Sequence, residues 1–146
     1  MIGPVDFCRL DRRKRAIIDA AQALFVEQGF ERTTLSDIVE RSGGSLATIY
    51  KLFGNKDGLL EAAVFEKASS NETLIAEALH EGGSPSEVVL RMAEGLHEHF
   101  LEPEVVALIR IVIARSVSDR EFARRFFECT AARTRLALEN VFASWQ

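Results

Sequence analysis

Glycines at 29, 43, 44 and 54 constrain this chain more than any other feature, because they cut its first part into three short apolar-periodic stretches. Before Gly29, the residues Ile17, Ala20, Ala21, Leu24 and Phe25 repeat at helical spacing, which predicts a helix over residues 12–28. Glycine suits the left-handed cap that ends such a helix, and Phe30 folds back as an apolar clip. Thr34 with Asp37 three residues on is an N-terminal capping pattern. The short helix it opens carries Leu35, Ile38 and Val39, and Ser42-Gly43-Gly44 ends it. Ser45 caps a third helix, Leu46 to Phe53, with an expected buried face of Leu46, Ile49, Tyr50 and Phe53. Helices this short do not stand alone in water, so both must pack on the first.

Asn55 caps a fourth helix, Lys56 to about Leu79, which at 1.5 Å per residue spans roughly 35 Å. Glu81 to Glu87 reads as a linker, and Ser84-Pro85-Ser86-Glu87 also opens the fifth helix with a Ser cap, an early Pro and a Glu at the third position. Its stripe is Val89, Met92, Ala93, Leu96 and Phe100. Pro103 starts a sixth helix, Glu104 to Arg115, apolar all round except Arg110 and so expected to be central and buried. Ser118-Asp119-Arg120-Glu121 is a capping box for a last helix with Phe122, Phe126, Phe127, Cys129, Leu136, Val141 and Trp145. The fold class is all-α, with about seven helices. A three-helix head precedes a longer helical bundle.

The 146 residues are 47% hydrophobic and 27% charged, which excludes a disordered chain. Cys8 and Cys129 form no CxxC motif and read as idle or buried thiols of a reducing compartment. No apolar run nears the ~20 residues of a membrane span. The N-terminus lacks the order of a signal peptide, so a cytoplasmic protein without a membrane partner is expected. Net charge is −4, yet residues 1–67 balance ten Lys/Arg against ten Asp/Glu. Within them Arg9, Arg12, Arg13, Lys14 and Arg15 cluster around Asp11, either as a phosphate-binding arm or as a solvated helix start. His97 and His99 lie two apart on a helix and face different ways, so they make no metal site. No HExxH motif, phosphate-cradling loop or nucleophile–base set is spaced for chemistry. An enzyme, a cofactor and a metal are not expected.

Three short helices with a tight turn between the last two outline a helix-turn-helix. Ser45, Thr48 and Lys51 are interleaved with the core face of the third helix, where short side chains let a backbone approach a major groove. Thr33, Thr34, Asn55 and Lys56 lie at helix starts that already favour anions, and Tyr50 carries a hydroxyl for a phosphate. A plain capped three-helix bundle fits the same periodicity. The particular residues go further. Thr34, Ile38, Gly43, Ser45, Ile49, Tyr50 and Phe53, followed by Lys56, Leu59 and Leu60, resemble the DNA-binding domain of the TetR family of bacterial transcriptional repressors.

That resemblance covers residues 11–71, roughly the first half of the chain, with its helix-turn-helix motif at 34–53, and implies a helical regulatory and dimerisation domain over 72–146. It implies a recognition helix at Leu46–Phe53, with Ser45, Ala47, Thr48 and Lys51 toward base edges. Thr33, Thr34, Tyr50 and Lys56 would hold the DNA backbone, and Arg12, Arg13 and Lys14 would form an arm. It also implies a ligand-responsive repressor, a homodimer on palindromic double-stranded DNA, with a small-molecule effector among the later helices. The candidate effector lining is Met92, Leu96, Phe100, Ile109, Ile113, Phe122 and Phe126, all of which also suit plain core. Gly44 stands where the family has Val, which should loosen the turn, and Ala47 replaces Gly. The chain stops before the family's usual last two helices, which makes Phe127, Thr134, Leu138, Val141 and Trp145 suspects for a substitute interface. The alternative is a helical ligand- or partner-binding protein whose DNA binding is weakened or lost.

Overall fold

The computed structural model describes residues 4–146, with side chains from residue 11 onward. Among these residues there are eight helices and no strand. They form two compact units that divide between Val64 and Phe65.

The first unit contains α1 (Pro4–Gln28), α2 (Leu35–Ser42), α3 (Leu46–Phe53) and the beginning of α4 (Lys56–His80). The helix expected from residue 12 begins at Pro4, because no helix-breaking residue lies between them and Pro suits a first helical position. Ile17, Ala21, Phe25, Ile38, Ile49, Leu59 and Leu60 are each at most 1% exposed and make the core. Full burial of the Ile, Leu and Phe side chains among them is worth roughly 1.5–3 kcal/mol apiece. Phe30 does fold back, its ring 5.3 Å from that of Phe25. The buried Gln22 amide donates to the Ala63 carbonyl at 2.8 Å, tying α1 to α4. One expectation for α3 fails: Leu46 and Tyr50 are 41% and 54% exposed. The inward stripe is Ile49 with half-buried Leu52 and Phe53, since Leu46 sits at the projecting first position and a two-turn helix offers only a narrow contact.

The second unit contains the rest of α4, α5 (Pro85–Leu101), α6 (Pro103–Ser118), α7 (Arg120–Cys129) and α8 (Ala131–Ala143). Ile75, Ala78, Val88, Met92 and Val141 form its core, with Leu96, Ala137, Leu138 and Trp145 against it. The capping box of Ser84 and Glu87 forms as expected. The α5 stripe, however, is rotated by one residue: Val88, Met92 and His99 are buried, while Val89, Ala93 and Phe100 are exposed. Helix α6 is not buried all round. It buries Val105, Leu108 and Val112 and leaves Ile113 and Val117 61% and 84% exposed. The last expected helix is broken at Thr130, which leaves helical geometry at φ −124° and ψ −80° while its hydroxyl donates to the Phe126 carbonyl at 2.6 Å. Asp119 rather than Ser118 caps α7, accepting from the Phe122 amide at 2.9 Å. Cys129 is exposed, contrary to a buried thiol, and the Cys8 side chain lies outside the described residues.

Candidate nucleic-acid interface

The geometry of the head begins with its caps. Thr34 Oγ1 accepts from the Asp37 amide at 3.1 Å, and the Asp37 carboxylate accepts from the Thr34 amide at 2.8 Å. That backbone donor, helped by the Thr34 hydroxyl, holds the Asp37 carboxyl below its ordinary value. Such reciprocal capping fixes the start of α2. The helix ends on Gly43, and Gly43 and Gly44 both take positive φ, at 75° and 92°. Immediately after, Ser45 caps α3: its hydroxyl accepts from the Thr48 amide and lies 3.1 Å from the Thr48 hydroxyl.

This turn aims α3 so that Ile49 is fully buried while Ser45, Leu46, Ala47, Tyr50 and Lys51 are exposed and Thr48 is half-buried. The exposed set offers two hydroxyls and an ammonium around a small Ala, a surface able to approach a groove closely. Asn55 caps α4 as expected, its side-chain oxygen accepting from the Gly58 amide at 2.8 Å. Lys56 lies over the Phe30 ring at 4.3 Å, with Nζ 3.5 Å from the Glu31 carbonyl.

Two residues expected at phosphates are used otherwise. Thr33 is 1% exposed and its hydroxyl faces the Gly29 and Leu24 carbonyls at 2.8 and 3.3 Å, so it closes the α1–α2 turn. Arg13 donates to the Ser42 carbonyl at 3.1 Å and to the Gly43 carbonyl, turning inward from the basic cluster. Arg12 and Lys14 are exposed on α1. Thr34 is exposed, with its hydroxyl engaged by the α2 amide already described.

The seven effector candidates differ in burial. Met92 and Leu96 belong to the core, and Phe122 is buried with its ring stacked 6.5 Å from that of Phe126. Phe100 and Ile113 are 44% and 61% exposed, and Ile109 is half-buried. A cleft of about 400 Å³ lies between α4 and α5, with Lys67, Ser70, Glu98, His99 and Glu102 on its walls. His99 Nδ1 stands 3.2 Å from Glu102, and Lys67 stands 3.0 Å from Glu104. None of the seven candidates lines it. Sequence spacing carries no signal for this set, because Lys67 and Ser70 on α4 lie far in sequence from Glu98, His99 and Glu102 at the end of α5. An open apolar groove is lined by Val89, Leu90, Ala93, Phe142 and Trp145. Of the suspected interface residues only Phe127 projects, at 58% exposure; Val141 is core, and Thr134, Leu138 and Trp145 are half-buried.

A capped helix-turn-helix with one fully buried anchor and an open outer face defines the class of helix-turn-helix regulator heads. Residues 17–63 match the family described as bacterial regulatory proteins, tetR family, and residues 87–146 match the AefR-like transcriptional repressor, C-terminal domain. The chain belongs to the TetR family. It is 36% identical over 63 residues to the uncharacterized HTH-type transcriptional regulator YvkB of Bacillus subtilis (strain 168), a match covering 43% of this chain and 33% of YvkB. A solved TetR-family transcriptional regulator from Mesorhizobium loti MAFF303099 superposes with a TM-score of 0.82 at 27% identity, over 92% of this chain and 68% of that one. The flavonoid-responsive regulator FrrA superposes with a TM-score of 0.67 at 27% identity, over 92% and 68%.

Proposed function

We propose that the chain reads double-stranded DNA with the outer face of α3, as a homodimer on a palindromic operator, and acts as a repressor released by a small-molecule effector. The observation that carries this reading is the division of α3 itself: Ile49 at 0% exposure against an open Ser45, Ala47, Tyr50 and Lys51. The match of residues 87–146 to a repressor C-terminal domain supports the repressor assignment. The likeness to a flavonoid-responsive regulator supports effector control. Two such heads on a palindrome would enter major grooves about 34–36 Å apart. In this reading Lys51, Tyr50 and Thr34 reach phosphates or base edges, Arg12 and Lys14 add long-range attraction, and Lys56 works from its seat on Phe30. Residues 11–71 are the DNA-reading part and 72–146 the regulatory part.

The alternative, a helical ligand- or partner-binding protein with weakened or lost DNA binding, takes Gly44 as one of its two premises, beside an incomplete dimer interface. The Gly44 premise weakens because the Arg13 guanidinium fills the space beside Gly44. The test is selection of duplexes from a random pool, followed by affinity measurements at several salt concentrations. Lys51→Ala should weaken binding and lower the salt slope by about one. Failure to enrich any duplex overturns the reading.

A further inference from the structure

We infer that Arg13 is a positioning residue for the recognition helix: it braces the α2–α3 turn and so fixes where α3 begins. The inference rests on the DNA-reading function proposed for α3. Helix α2 ends with carbonyls that have no partner within the helix, at the negative end of its dipole. Arg13 reaches them from 29 residues upstream, donating from Nη1 to Ser42 O at 3.1 Å and from Nη2 to Gly43 O. A planar guanidinium can serve two carbonyls at once, which an ammonium does not do with the same fixed geometry. The residue that follows the braced pair is Gly44, and the one after it is the α3 cap, Ser45.

Gly44 and Arg13 form one unit. A Cβ on Gly44 would overlap the guanidinium, and a Cβ on Gly43 would lie 3.6 Å from Nη1. Gly44 also holds φ at 92°, a conformation that side-chain-bearing residues rarely adopt. The departure from the family's Val at this position is therefore matched by a cation packed into the same place. The brace also explains why Arg13 is half-buried while Arg12 and Lys14, beside it in sequence, are exposed.

The experiment compares Arg13→Ala, Arg13→Gln and Gly44→Ala in the whole chain. Without DNA, amide hydrogen exchange at Gly43, Thr48 and Ile49, whose amides donate to Val39 and Ser45 oxygens, is read against the buried core of α1. Arg13→Ala, which removes both charge-assisted hydrogen bonds, should speed exchange at these amides by at least about tenfold. With a duplex selected by the unmodified protein, Arg13→Ala should lower affinity about tenfold while leaving the salt slope unchanged. Arg13→Gln, a neutral donor, should restore part of both. Gly44→Ala should harm the unmodified protein more than it harms Arg13→Ala, since the overlap is then gone. A salt slope lowered by about one, with Gln no better than Ala, would make Arg13 a phosphate contact and overturn the brace. Unchanged exchange in Arg13→Ala also overturns it. If no duplex is selected, the DNA reading fails while the exchange arm still decides the brace.

Discussion

Glycine inside a helix normally costs stability, and replacing it by alanine recovers roughly 0.5–1 kcal/mol. Gly58, third residue of α4, should reverse that sign. A Cβ there would run into the Phe53 carbonyl oxygen and stand 3.2 Å from its carbon. Backbone cannot step aside as a side-chain tip can. Relief requires the end of α3 to move, and Ile49, Leu59 and Leu60, all at 0% exposure, are packed around that corner. Overpacking of this kind costs roughly 1–3 kcal/mol. Setting the recovered helix propensity against it leaves Gly58→Ala destabilised by about 1–2 kcal/mol, a fall in Tm of roughly 5–10 °C for a unit of this size. Gly95 in α5 is the matched control. A Cβ there would meet Leu74 Cδ2 at 3.6 Å, an ordinary contact, so Gly95→Ala should stabilise by about 0.5–1 kcal/mol. Urea and thermal unfolding followed by circular dichroism read both variants. A Gly58→Ala protein as stable as the parent, or both variants moving in one direction, refutes the reasoning.

Thr33→Ala should cost about 1–3 kcal/mol in urea unfolding by removing the 2.8 Å donor to the Gly29 carbonyl, and should leave the salt slope of DNA binding unchanged. A lowered slope would return Thr33 to the phosphates. Asp37 has a folded pKa below its ordinary 3.8, chiefly because the Thr34 amide donates to its carboxylate. Its contribution is therefore present above about pH 3.8 and is lost as pH falls through the lower folded value. Asp37→Asn should show a shallower loss of Tm on acidification from pH 5 to pH 2, roughly the window over which such carboxylates titrate; an unchanged acid limb counts against the capping account.

The turns of this fold were legible because their chemistry is local. Thr34 with Asp37, Ser45, Asn55 and Ser84 with Glu87 each needed only a hydroxyl, amide or carboxylate within three residues of an amide, and each cap forms. Helix faces were legible only where the apolar stripe is unambiguous, as at Ile17, Ala21 and Phe25. In α5, Val88-Val89-Leu90 offers apolar residues on every side, and only packing against Ile75 and Val141 selects Val88. Arg13 was unreadable for a different reason. Its charge suggested a phosphate, and nothing in the spacing of residues 13 and 42–44 announces that they meet. The polar cleft is hidden likewise, since Lys67 on α4 lies more than thirty residues before His99 and Glu102 at the end of α5.

The corner between α4 and α5 carries a practical lesson. Composition would send anyone wishing to cut the chain in two, or to splice in a tag, to Gly82-Gly83. Yet Arg91 grips the Gly82 and Ala78 carbonyls, and the Ser84 backbone amide is clasped by Glu87 at 2.8 Å. Both glycines are spent on positive φ, at 72° and 108°. A protease must bind its substrate as an extended strand, so it would have to unbuckle this corner before its first cut. The apparently slack stretch is a poor place for scissors.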